Sequence, residues 1–215
     1  LELDNYSIPS SYQVTTTTAF YPTNMFLQNS GPNNDGALRS VTGSNTFAPS
    51  YLTFYDNTRI NAETAASLTL NVGGGASINP SGYILTFGGG GTTTNQNPIS
   101  AGSVVKDGAG SLIYNVVNPY SGGTTIHGGR ILTNVGGANG AFRGLLTINS
   151  GSYLEVNADS SFGYTAGANV TTVTVNSGSY IQVNSKAIQN AGGSGHSHIF
   201  NNASVRGTGS YYHEN

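Results

Sequence analysis

Between Leu146 and Asn157 apolar and polar side chains alternate with a period of two. Leu146, Ile148, Leu154 and Val156 fall on one face, Thr147, Tyr153 and Glu155 on the other. That alternation predicts short, half-buried strands. It breaks at Asn149-Ser150-Gly151, a turn sequence whose glycine supplies a positive φ where a Cβ would clash. Apolar spacing at 3.6 residues is sustained nowhere, and the glycine density penalises helix. The chain reads as many short strands closed by turns at short intervals.

The same twelve positions recur without a gap at Val173–Asn184. A weaker copy runs Leu68–Asn71, a Gly-rich turn, then Ala76–Asn79. A degenerate one runs Ile199–Val205 and ends in Gly209–Tyr212. Sandwich strands do not repeat one another, whereas stacked rungs do. The repeat therefore selects an all-β solenoid. At about 20–27 residues per rung and about 4.8 Å between strands, the chain makes roughly eight or nine rungs and a rod about 40 Å long.

Stacking assigns roles. Asn149 is expected over Asn176, and Asn157 over Asn184, as amide ladders that satisfy turn groups along the axis. Gly151 and Gly178 take the same corner. Tyr153 and Tyr180 stack on the outer face, with Tyr114, Tyr120 and Tyr164 expected near them. Such a row is either a platform for sugar rings or a cross-rung ladder that stabilises the sheet.

Lys106–Tyr114 (KDGAGSLIY), Asn118–Ile126 (NPYSGGTTI) and Gly129–Leu132 (GRIL) resemble the autotransporter-associated β-strand repeat, with its patterns K-x-G-x-G-x-L-x-L, N-x-Y-x-G-G-T-T-I and G-x-L. Gly36–Phe47 and Thr58–Asn61 resemble what precedes that repeat in large surface proteins. The similarity spans residues 36–184; the first and last thirty residues do not match. The resemblance implies a right-handed parallel β-helix of a bacterial passenger-type or secreted surface protein, in a family without shared catalytic residues.

Composition narrows the function. Of 215 residues, 31 are Gly and 13 Tyr, with no Cys or Trp. Charged residues are 7%, against about 25% in an ordinary domain. The outer surface must then be hydrated by hydroxyls and amides, which suits secreted material. Seven scattered Lys and Arg make no basic stripe, so nucleic acid is not an expected partner. Without Cys no disulfide framework forms. No apolar run approaches the roughly 18 residues of a membrane span. The chain opens at Leu1 without Met, as expected of a mature or excised piece.

Candidate chemistry is sparse. Asp4, Asp35, Asp56, Asp107 and Asp159 are widely separated, and glycoside hydrolysis needs paired carboxylates. No catalytic residue and no cofactor is therefore expected. His127-Gly128-Gly129-Arg130 reads as a turn of the repeat. His196, His198 and His213 lack the ligand set zinc requires and read as exposed loop histidines, so no metal is expected. Gly73–Gly75 and Gly88–Gly91 lack the Lys-Ser/Thr of a phosphate loop and read as corners. Asn5, Asn169 and Asn202 begin glycan-acceptor triplets, which arise by chance in so Asn-, Ser- and Thr-rich a chain.

Residues 1–30 are expected to cap the front of the rod or to donate a strand, with Val14–Phe20 as the β-prone run; residues 31–215 form the rungs. Open solenoid ends template further pairing. Head-to-tail self-association into fibres follows as an expectation. The expected function is a non-enzymatic extracellular or cell-surface element of bacterial origin: an adhesin shaft, a stalk or a filament subunit. The alternative is a carbohydrate-binding β-helix of a secreted glycan-active protein, with surface glycans as partner. A polysaccharide lyase or hydrolase is the third reading.

Overall fold

The computed structural model describes residues 12–14, 19–20, 24–73, 76–165, 169–190 and 197–213. In chain order these form β1 (Tyr12–Val14), β2 (Ala19–Phe20), β3 (Asn24–Asn29), β4 (Leu38–Ser40), β5 (Gly43–Phe47), β6 (Tyr51–Ala62) and β7 (Ala66–Leu70). The middle comprises β8 (Ile84–Gly88), β9 (Thr92–Asn95), β10 (Ser103–Lys106), β11 (Ser111–Tyr114), β12 (Thr124–Ile126), β13 (Gly129–Thr133), β14 (Gly144–Ile148) and β15 (Ser152–Val156). Then follow β16 (Val170–Val175), β17 (Tyr180–Val183), β18 (Ala187–Asn190), β19 (Ser197–Phe200), β20 (Ser204–Gly207) and β21 (Ser210–His213).

These strands wind into a parallel β-solenoid of about eight turns. One sheet runs β1-β4-β6-β8-β10-β12-β14-β16-β19, with β3 also on β6; the other runs β2-β5-β7-β9-β11-β13-β15-β17-β20. The described rungs cross from the first sheet to the second through short corners of polar residues or glycine. Asn149-Ser150-Gly151 and Asn176-Ser177-Gly178 are two such corners, and both glycines adopt φ +77. The next residue of each, Ser152 or Ser179, is buried, and its hydroxyl donates to the carbonyl of Asn149 or Asn176.

Period-two alternation becomes columns of stacked side chains. Leu38, Ile60, Phe87, Lys106, Ile126, Ile148 and Val175 share one inward column of the first sheet. Leu68, Thr93, Leu112, Ile131, Leu154 and Ile181 share one of the second. Each rung buries the apolar face of the next, which is where the hydrophobic stabilisation arises. Where the coil closes, buried amides satisfy bent backbone. Asn97 accepts from Val72 N–H at 2.7 Å and donates to the Val72 and Ala76 carbonyls. Asn118 accepts from Ile99 N–H at 3.0 Å.

Rung length agrees with the expected range: partners lie 27 residues apart at Asn149–Asn176 and 19 at Ser111–Arg130. Two expectations need correction. Leu68 and Leu70 lie in β7 of the second sheet, whereas Leu146 and Ile148 lie in β14 of the first, so that weaker copy is displaced by one side of the coil. Tyr114 and Tyr120 are fully buried rather than on the outer row. Tyr114 follows the parity of Leu112, which faces inward, and its ring packs on Phe142.

At the front, β1, β2 and β3 pair in parallel with β4, β5 and β6 of their own chain. Met25 and Leu27 of β3 are buried. Residues 15–18, the centre of the β-prone run, lie outside the described residues. At the far end, Phe200 and Val205 continue the columns of Val175 and Ile181. They are nevertheless 37% and 39% exposed, because no further described rung covers them.

Candidate functional site

The outer edge of the first sheet carries one polar column whose chemistry changes along the rod. Its last members are amides. Asn176 donates to Asn149 and Asn201 donates to Asn176, each at 2.9 Å, while Asn149 contacts His127 Nδ1 at 3.0 Å. A second ladder flanks the other sheet. Asn134 donates to Asn115 (2.9 Å), Asn157 to Asn134 (3.2 Å) and Asn184 to Asn157 (2.8 Å). In both, each Nδ2 donates toward the earlier rung, so the amide dipoles align along the axis. An amide suits this position because it offers donor and acceptor together.

Toward the front the same column becomes ionic. Arg59 reaches past Gly88 to Asp107, 2.7 Å for each of two bonds. Arg39 pairs with Asp35 at 2.9 Å and with Glu63 at 2.8 Å, and Asn61 also donates to Glu63. On the second sheet Arg130 pairs with Glu155. Asp159 accepts from Ala187 N–H and Asp56 from Asn57 N–H. Every described carboxylate is thus held in a structural bond.

Among the described residues Lys106 is the charged side chain within the core. It sits between Phe87 and Ile126 in the apolar column and is 1% exposed. Its ammonium donates to the Asp107, Gly108 and Gly128 carbonyls. Burial lowers its pKa to about 8, against the opposing pull of Asp107. Burial also pushes Tyr120 up to about 12 and Tyr114 well above its usual value. The two hydroxyls lie 3.4 Å apart, and Tyr120 bonds Thr124.

Tyr153 and Tyr180 stack on the outer face as adjacent-rung partners, ring centroids 4.7 Å apart and 10° from parallel. The Arg206 guanidinium lies 4.1 Å over the Tyr180 ring, and Arg130 is the register neighbour of Tyr153. Each ring therefore covers one face of its neighbour, and Arg206 covers the other face of Tyr180. Tyr164 is exposed.

No family model matches the chain, nor does any curated protein or solved structure.

The histidines divide. His127 lies in a corner, exposed, as the turn reading expects, but Gly129 and Arg130 of the same motif belong to β13 rather than to a turn. His198 is not a loop residue: it lies in β19, packs against Phe162 and Tyr211, and its Nδ1 shares a 2.7 Å hydrogen bond with the Tyr211 hydroxyl. The inward parity of Val173, its register partner, was the signal for that placement. His196 lies outside the described residues, and the His213 side chain is not described. Among the described residues no three His, Cys, Asp or Glu gather as metal ligands, and no helix is long and apolar enough to cross a membrane. Asn169 is buried, which places it poorly for a glycan. The reading from sequence overlooked Phe26, Tyr51 and Tyr55, all exposed on β3 and β6; none belongs to a repeat.

Proposed function

We propose that the chain is a non-enzymatic structural rod of the extracellular space or cell surface, a shaft, stalk or filament subunit. One observation carries this reading: two parallel sheets run continuously from rung to rung, with amide ladders flanking their later rungs. Load along such a column is shared by every backbone ladder. The surface is hydrated by hydroxyls and amides, in keeping with 7% charged residues. The resemblance of Lys106–Leu132 to the autotransporter-associated repeat supports a bacterial surface location.

Head-to-tail association is part of the proposal. The uncovered Phe200 and Val205 supply an end face whose columns another rung would continue. Electron microscopy and sedimentation of the purified chain test it. Fibres one rod wide are expected, and Phe200→Asp with Val205→Asp should reduce them to single rods. Particles that remain single at every concentration, or fibres indifferent to both substitutions, overturn it.

A further inference from the structure

Three aromatic rings stand uncovered on the front third of the rod. Tyr51 is 64% exposed, Tyr55 58% and Phe26 42%. They belong to β3 and the first half of β6, where Leu52, Phe54, Met25 and Leu27 alternate inward and leave the rings outward. Phe26 and Tyr55 stack on each other at 5.5 Å and 21°. Tyr51 lies four residues before Tyr55, about 13 Å along the strand. Exposed Asn24, Gln28 and Asn79 border the rings; Asn24 is the register partner of Tyr51, and Asn79 bridges to Thr53.

We propose that this face binds a neutral polysaccharide whose pyranose rings present flat C–H faces. Apolar C–H faces pack on aromatic rings, and amides both donate to and accept from sugar hydroxyls. Such a mixed surface of rings and amides, with phenol hydroxyls among them, matches a ligand that is apolar on its faces and polar at its rim. Charge decides against the other ligands of exposed rings. Single-stranded nucleic acid requires Lys or Arg beside the stacking rings, and an anionic membrane or acidic glycan requires the same. The charged residues of β6 are Asp56, an anion, and Arg59, whose guanidinium is already held by Asp107 in a bidentate pair and so leaves no free cation beside the rings. The contrast with Tyr153 and Tyr180 is geometric. Those two are half-buried consecutive-rung partners at 4.7 Å that cover each other, whereas Tyr51 and Tyr55 are spread along one strand and mostly exposed, Tyr55 even with Phe26 stacked on it. The site does not depend on the rod assembling into fibres.

Affinity gel electrophoresis of the full chain against hydroxyethyl cellulose, laminarin, galactomannan and xylan, with alginate as the acidic control, tests the proposal. Retardation by at least one neutral polymer and none by alginate is expected. Tyr51→Ala and Tyr55→Ala should each weaken it by about tenfold, and together abolish it; the thermal midpoint should hold for Tyr51→Ala and fall slightly for Tyr55→Ala, which loses its stack on Phe26. Tyr153→Ala with Tyr180→Ala should leave retardation intact. No retardation by any neutral polymer overturns the proposal, as does equal retardation of the Tyr51/Tyr55 double variant. So does a wild-type dimer in sedimentation that the double variant dissolves, since the face would then serve a second copy.

Discussion

Arg59 and Asp107 stand two rungs apart and close a bidentate ion pair, 2.7 Å for both bonds, across the bare backbone of Gly88. A Cβ on Gly88 would lie 2.0 Å from Arg59 Nη2 and 2.6 Å from Asn61 Oδ1. Glycine leaves room for the Arg59 guanidinium to pass, and a Cβ there would push that side chain off Asp107. Gly88→Ala should therefore break the pair and cost about 1–3 kcal/mol, much as Asp107→Ala does. In an Arg59→Ala background most of the Gly88→Ala penalty should vanish. Denaturant unfolding of the double-mutant cycle reads this directly.

Lys106 makes stability depend on pH. Its folded pKa of about 8 lies below the ordinary 10.5. Between those values the unfolded chain binds more protons, so stability rises as pH rises from 8 toward 10.5. Below pH 8 the ammonium is charged in both states and its burial penalty is fully present. The stability of wild type relative to Lys106→Met should climb across that window by at most about 3 kcal/mol. Comparison with the variant cancels the buried tyrosines, which titrate at higher pH in both proteins. A flat difference between pH 7 and 10 contradicts the assignment.

The amide ladders should respond by position. Asn157 both donates and accepts within its column, whereas Asn115 accepts at the end of it. Asn157→Ala should cost about 1–2 kcal/mol, because it leaves Asn134 and Asn184 each short of a partner. Asn115→Ala should cost roughly half as much. Urea midpoints of the two variants compare them.

The Tyr153–Tyr180 pair should act as a stabilising ladder. A double-mutant cycle to Leu is expected to give a coupling of about 0.5–1.5 kcal/mol. Arg206→Ala should weaken that stack further through the lost guanidinium contact, by about 0.5–1 kcal/mol at an exposed site. Thermal unfolding of the four variants measures both.

Local chemistry was legible in the sequence alone. Alternation with period two sorts side chains into inward and outward sets, because successive strand residues point to opposite faces whatever the rest of the chain does. The ungapped repeat then sets Tyr153 on Tyr180 and Asn149 on Asn176. Even the buried Tyr114 was written in the parity of Leu112. The meeting of distant residues was not legible. Rung length drifts between 19 and 27 residues as corners shorten and lengthen, and that drift decides which residues become neighbours. Only the folded coil brings Arg59 to Asp107, seats Lys106 among carbonyls inside an apolar column, and leaves Phe26, Tyr51 and Tyr55 uncovered together. Facing is a property of one strand; adjacency is a sum over every turn between two strands.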